Sequence, residues 1–204
     1  EKYKQLALER FSNIKNFNPA HLVSPMQIPL KKKVISEVAG FIQSIHKIVH
    51  QTSYQSAISV QDPKILQASP SNHSVLMAYD FHLDENGSPR LVEVNTNASG
   101  YLISSLLLEL LGVDNIFGPP LDLLKESFFS EWNSSVKPRV AIIDENLDQQ
   151  KMLPEFFMYQ SLFNSWGWKT SLHDFKELSW DFEGLKNPTG EAINLIYNRF
   201  NDFY

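Results

Sequence analysis

The chain has 204 residues, 43% of them apolar, with a formal net charge of −5, enough for one sizeable domain or two small ones around a real core. Its 18 basic residues are spread out, and the one compact basic run, Lys31-Lys32-Lys33, opens an amphipathic helix, so nucleic acid is not an expected partner. There is no cysteine, which excludes a disulfide framework and suits a reducing compartment, and no run reaches the roughly 18 apolar residues of a membrane span, so a cytoplasmic protein off the membrane is expected.

In chain order, residues 2–12 carry Leu6 and Phe11 among charged neighbours and predict a short helix. The Pro, Asn and Ser content from Asn16 to Pro29 predicts a loop. A core-facing helix is expected from about Leu30 to Gln51, with Val34, Val38, Phe41, Ile42, Ile45 and Val49 on one stripe. His46 and His50 lie one turn apart on it, a metal-ligand spacing, but the Glu of a zinc-peptidase helix is absent. Beyond it, Ala57-Ile58-Ser59-Val60 suggests a short strand and Pro63 to Ala68 one helical turn.

The most informative stretch is Val75 to Tyr101, where Asp84-Glu85-Asn86-Gly87 separates two runs of alternating polarity and predicts a β-hairpin. A two-residue Asn86-Gly87 turn or a four-residue loop from Glu85 to Ser88 both place Asp80 opposite Glu93, and Asn95 returns to the same face. His82 is expected near that face as well. The other face, with Val75, Met77, Tyr79, Phe81, Val92 and Val94, reads as core. Two carboxylates across a ladder repel unless a cation sits between them, and Asp, Glu and an Asn carbonyl are hard oxygen donors suited to Mg²⁺. A solvent-facing polar side with the charges splayed into water accounts for the same residues.

After the hairpin, Tyr101 to Leu111 is apolar nearly all round and stops at Gly112, as a buried helix does. The turn Asn97-Ala98-Ser99-Gly100 just before it offers free backbone N–H groups, so Asn97, Ser99 and Gly100 are candidates to hold a phosphate or a substrate carboxylate. A plain cap by Asn97 or Ser99 fits them equally. Leu121 to Trp132 predicts another helix, and Ser134 to Pro138 is the expected internal boundary. Then Arg139 to Asp144 predicts a buried strand, Met152 to Trp166 a helix, Trp168 to Leu172 a second strand and Ile193 to Tyr197 a third, a βαβ pattern. Ligands bind such sheets at the carboxyl ends of the strands, where Asp144-Glu145-Asn146 and Asn198-Arg199 should converge. Arg199 could grip a substrate carboxylate with two hydrogen bonds, or form a surface ion pair with Asp202.

The run YDFHLDENGSPRLVEVNTNASGY resembles the metal-binding hairpin of the ATP-grasp superfamily, in which an Asp-Phe strand and a turn precede a strand ending in Glu-x-Asn. Through that resemblance Asp80, Glu93 and Asn95 fall on the positions that hold the Mg²⁺ ions bridging the ATP phosphates, while Ala78 stands where many members place an Arg. With the hairpin ahead of the βαβ segment, the order is similar to the circularly permuted type of glutathionylspermidine synthetase and its relatives, as are LVEVNTNASG, LPEF and LIYNRFNDFY. The resemblance covers about residues 74–204. It implies an α/β protein in two parts. Residues 1–134 would belong to an ATP-grasp catalytic domain, α+β with its antiparallel metal-binding hairpin, and residues 138–204 to a small Rossmann-like pre-ATP-grasp α/β domain. It implies a carboxylate-amine ligase that uses ATP and Mg²⁺, proceeds through an acyl phosphate and takes a small-molecule carboxylate and an amine. The oligomeric state stays open. Both ends read as cut, and this stretch is expected not to turn over ATP by itself, since of the glycines before the α/β domain, Gly40, Gly87, Gly100, Gly112 and Gly118, none lies in a strand-loop-strand setting with a nearby Lys. The alternative is a non-catalytic binding or interaction domain on the same scaffold.

Overall fold

In the computed structural model, residues 1–11, 14, 18, 21–24, 26, 28–59, 75–113 and 118–201 are described. The chain mixes helices and strands and divides into two compact units, Pro25–Ala98 on the one hand and Glu1–Ser24 with Ser99–Tyr204 on the other. The expected boundary at Ser134 to Pro138 lies inside the larger unit. Among the described residues no helix is long and apolar enough to cross a membrane.

The smaller unit holds helices α1's successors in sequence, α2 (Lys32–Val49) and α3 (Thr52–Ser59), and the antiparallel strands β1 (Ala78–Leu83) and β2 (Pro89–Asn95); α1 itself (Lys2–Arg10) belongs to the larger unit. Of the apolar stripe on α2, Val34 is buried, while Phe41 rests edge-on against Phe81 with ring centroids 5.8 Å apart. The strand expected at Ala57 to Val60 is instead the end of α3 as far as Ser59: a three-residue apolar-polar alternation is too short to outweigh the helix that TSYQSAIS continues. Val60 and the turn expected from Pro63 to Ala68 lie outside the described residues.

The larger unit is built on three parallel strands in the order β4 (Lys169–Asp174), β3 (Arg139–Asp144), β7 (Leu195–Asn198). The central strand β3 is buried along Val140 to Asp144, as a continuous apolar run between two neighbours must be. Helix α4 (Tyr101–Leu111) ends at Gly112 with φ +63, the left-handed stop that its glycine permits. Helix α5 (Pro120–Trp132) starts on Pro120, whose missing N–H costs nothing at a first helical position. Helix α6 (Leu153–Ser165) connects β3 to β4. Phe163, fully buried, lies between Phe128, Trp166 and Trp168 with centroids 4.9, 5.4 and 5.6 Å away, a ring cluster that joins α5, α6 and the start of β4. On the other side of the sheet, a short hairpin of β5 (Ser179–Asp181) and β6 (Gly184–Lys186) covers Ala141, Ile143 and Ile193 through Leu185. Nothing in the periodicity of residues 175–192 had announced that hairpin, whose strands are only three residues each.

Candidate functional site

The loop between β1 and β2 is Glu85-Asn86-Gly87, three residues, rather than the two or four expected. Gly87 takes φ +76 and donates its N–H to the Asp84 carbonyl at 2.8 Å, and the Asp84 N–H meets the Ser88 carbonyl at 3.0 Å. That is the turn of a three-residue hairpin with a left-handed glycine. Asp84 holds it together: Oδ1 accepts the N–H groups of Asn86 and Ser88, both at 2.9 Å, and Oδ2 accepts two N–H groups of Arg90 at 2.8 and 3.0 Å. Hydrogen bonds from the Ser88 N–H and from Arg90 pull the Asp84 carboxyl below its ordinary value.

With that loop alone, Asp80 would face Val92. A β-bulge between Asp80 and Phe81 corrects the register: Phe81 pairs with Leu91, Val92 is the extra residue, and Asp80 pairs with Glu93. Both carboxylates therefore share one face, exposed to solvent, and Asn95 follows on the same face opposite Ala78. His82, also exposed, lies two residues along β1 from Asp80. The expected core face is corrected in part. The bulge sends Val92 outward, 61% exposed, and Leu91 packs beside Phe81 in its stead; Met77 and Val94 are exposed too. His46 and His50 stack at 4.2 Å, and the His50 ring donates from Nδ1 to the His46 carbonyl at 2.7 Å, a contact within one helix that uses up one ring nitrogen.

The candidate anion turn is arranged differently from the expectation. Asn97 donates its N–H to Asn95 Oδ1 at 3.0 Å, and the N-cap position of α4 is Gly100, which has no side chain to offer. Gly100 adopts φ +88, and its N–H, with that of Leu102, points at a carboxylate. The carboxylate belongs to Glu155 of α6: Gly100 N donates to Oε2 at 2.7 Å and Leu102 N to Oε1 at 2.9 Å. A carboxyl does sit at this helix start, but it is the chain's own. The sequence reading passed over Glu155 in LPEF; the available signal was a Glu among the apolar residues from Leu153 to Tyr159, where it can only be buried if paired.

At the carboxyl ends of the sheet, β3 and β7 do converge, with the Arg199 N–H donating to the Ile143 carbonyl at 2.8 Å. Arg199 is 8% exposed, as is Asp144. Its guanidinium lies 5.7 Å from the centre of the Tyr197 ring and acts on Asp144 and Glu155, whose carboxyls burial pushes up and Arg199 pulls back. Burial likewise pushes the Tyr197 phenol up to about 12 and that of Tyr159 well above its ordinary range. Arg199 is thus set inside the fold, near two carboxyls, and Asp202, its expected ion-pair partner, lies outside the described residues. The Asp144-Glu145-Asn146 loop is tied to the next strand, Asn146 N donating to Asp174 Oδ2 at 2.7 Å, beside an open polar cavity of about 360 Å³ lined by Asn146, Asp148, Gln149, Asp174 and Glu177.

Neither the protein-family models nor the curated proteins contain a match to this chain. Its chemistry must therefore be argued from its own residues. The arrangement offers two candidate centres, each within its own unit. One is the exposed Asp80–Glu93 pair with Asn95, three hard oxygen donors on one face. The other is the buried set of Asp144, Glu155, Tyr159, Tyr197 and Arg199, whose charges largely answer one another. A larger cavity, about 510 Å³, is lined mainly by α4 with Phe11 and the segment from Gly118 to Leu121, and contains none of the candidate site residues. Among the described residues, no group of three or more His, Asp or Glu side chains is placed to hold a metal.

Proposed function

We propose that the hairpin of β1 and β2 binds Mg²⁺ and, through it, the phosphates of ATP, as part of an ATP-grasp carboxylate-amine ligase that works through an acyl phosphate on a small-molecule carboxylate and an amine. The observation that carries this reading is the register: a bulge restores Asp80 to a position opposite Glu93, with both side chains in solvent and Asn95 on the same face. A ladder gains nothing from like charges held together there, whereas a hard divalent ion that takes one or two carboxylates, a carbonyl and water fits them. Bound Mg²⁺ would supply screening of the triphosphate charge. The three parallel strands and α6 support the Rossmann-like pre-ATP-grasp assignment of residues 138–204. In this reading Arg199 serves that domain internally rather than gripping substrate.

The donors the hairpin offers are two carboxylates and one amide. Mg²⁺-ATP affinity is accordingly expected near about 1 mM, roughly 4 kcal/mol of binding free energy. Isothermal titration of the 204-residue chain with Mg²⁺ and then Mg²⁺-ATP tests the assignment. Asp80→Asn and Glu93→Gln should each weaken the metal step at least several-fold. An unchanged isotherm in the double variant would remove the hairpin from the metal chemistry altogether.

One observation favours the second reading, a binding domain without turnover. Ala78, directly opposite Asn95, brings no cation to the place where ATP-grasp relatives commonly carry an Arg, so the transferring phosphate lacks that contact here. Metal-dependent nucleotide binding with no ADP release when candidate carboxylates and amines are supplied to the longest natural chain would select it.

A further inference from the structure

The LPEF segment has no part in the hairpin chemistry, yet its Glu155 is the most completely buried acid among the described residues, 1% exposed. It stands in the first turn of α6, and its two oxygens divide between two amides of the first turn of α4, Gly100 and Leu102, 55 and 53 residues away in sequence. Both donors belong to the set of N–H groups that a helix cannot satisfy from within itself. The Ile103 N–H also favours the charged form of Glu155. The positive ends of two helix dipoles thus meet on one carboxylate. The charged and titratable groups around it are Arg199, which favours its charge, and the Tyr159, Tyr197 and Tyr3 phenols, which burial first and the Glu155 carboxylate after it keep protonated.

We infer that Glu155 is a positioning residue, a resident anion that fills the N-terminal anion site of α4 and sets the geometry of Gly100 and Leu102, closing that site to phosphate or carboxylate ligands. The stereochemistry specifies the residue type. Two diverging N–H groups need two acceptors on one rigid plane. An amide provides one acceptor and turns an NH₂ toward the second donor, and an Asp is one methylene too short to span from α6. Gly100 in turn must be glycine for its φ of +88, although a Cβ there would meet nothing within 4 Å, so conformation and not crowding fixes that residue. This inference rests on the ligase reading in one respect: with α4 closed, the nucleotide phosphates of such an enzyme must be met at the hairpin and not at Ser99-Gly100.

The test is made on the 204-residue chain by following the amide resonances and hydrogen exchange of Gly100 and Leu102, a readout that packing alone would not move. Glu155→Gln, which keeps shape and volume, should shift both amide signals upfield and speed their exchange at least tenfold. Glu155→Ala should do the same and regain part of the protection on addition of formate, which returns a carboxylate to the vacated space; should that variant fail to fold, the Gln variant decides alone. In the parent, tens of millimolar inorganic phosphate should leave both signals in place. Parent-like exchange in Glu155→Gln, or phosphate perturbing the two amides in the parent, would overturn the inference. Neither result depends on whether Asp80 and Glu93 bind metal, so the two proposals fail separately.

Discussion

Strands β3 and β2 are similar in length and opposite in character. β3 buries five of its six residues between two parallel neighbours, whereas β2 exposes five of its seven beside a single antiparallel partner. The same contrast separates their acids. Asp84 of the hairpin unit is half-buried, and local N–H groups and Arg90 draw its pKa down; Asp144 and Glu155 of the larger unit are enclosed, and desolvation drives theirs up. A strand whose side chains are in water is free to present charge to a ligand. One buried on both faces can keep charge only where the fold itself satisfies it, as the Glu145 N–H and Arg199 do for Asp144.

The contrast can be broken most forcefully in the ring cluster. Phe163→Ala should cost about 3–5 kcal/mol, because a fully buried ring is removed from among five aromatic neighbours. Chemical denaturation followed by Trp fluorescence measures it, and a loss under about 1 kcal/mol would mean that the larger unit is not packed as described.

Next in size is the opposing pH response. Folded Glu155 and Asp144, with raised pKa values, hold more protons than the unfolded chain, so their contribution is fullest below the ordinary values of 4.5 and 3.8 and declines as pH rises through the folded ones. For Asp84 the sign reverses: its contribution is present above 3.8 and declines as pH falls toward the lowered folded value. Amide exchange followed from pH 7 to pH 3 should therefore show Gly100 and Leu102 losing protection first, as Glu155 takes up its proton, and the β1–β2 turn only at lower pH. Parallel profiles would contradict the assigned environments.

Gly87→Ala is the third probe. It places a side chain at φ +76 with nothing within 4 Å, so the penalty is conformational and should come to about 1–2 kcal/mol for the hairpin unit, read from its melting transition. The smallest effect on stability belongs to Glu93→Gln, within about 0.5 kcal/mol of the parent since an exposed like-charge neighbour is relieved, even though Mg²⁺ binding should fall. Unfolding of that variant would recast Glu93 as a structural residue.

The sequence by itself determined those features whose causes are local. Helix α4 runs from Tyr101 to Leu111 and stops at Gly112 because an apolar periodic run meets a residue that tolerates a left-handed φ. β3 spans Arg139–Asp144 because a short β-branched run lies between Pro138 and a polar loop. Asp80 faces Glu93, although by a route the pattern did not show: loop length differs by one residue, and a bulge at Val92 makes up the difference. What only the tertiary structure decided is non-local. The bulge turns Val92 out and Leu91 in, α3 takes the place of a strand, Arg199 turns toward Asp144 and Glu155, and Glu155 crosses 55 residues of chain to reach Gly100. Burying a carboxylate is unfavourable by several kcal/mol until its partners arrive. Those partners are backbone amides, which every residue carries and no sequence pattern marks, so the match between Glu155 and the start of α4 exists only once the two helices have met.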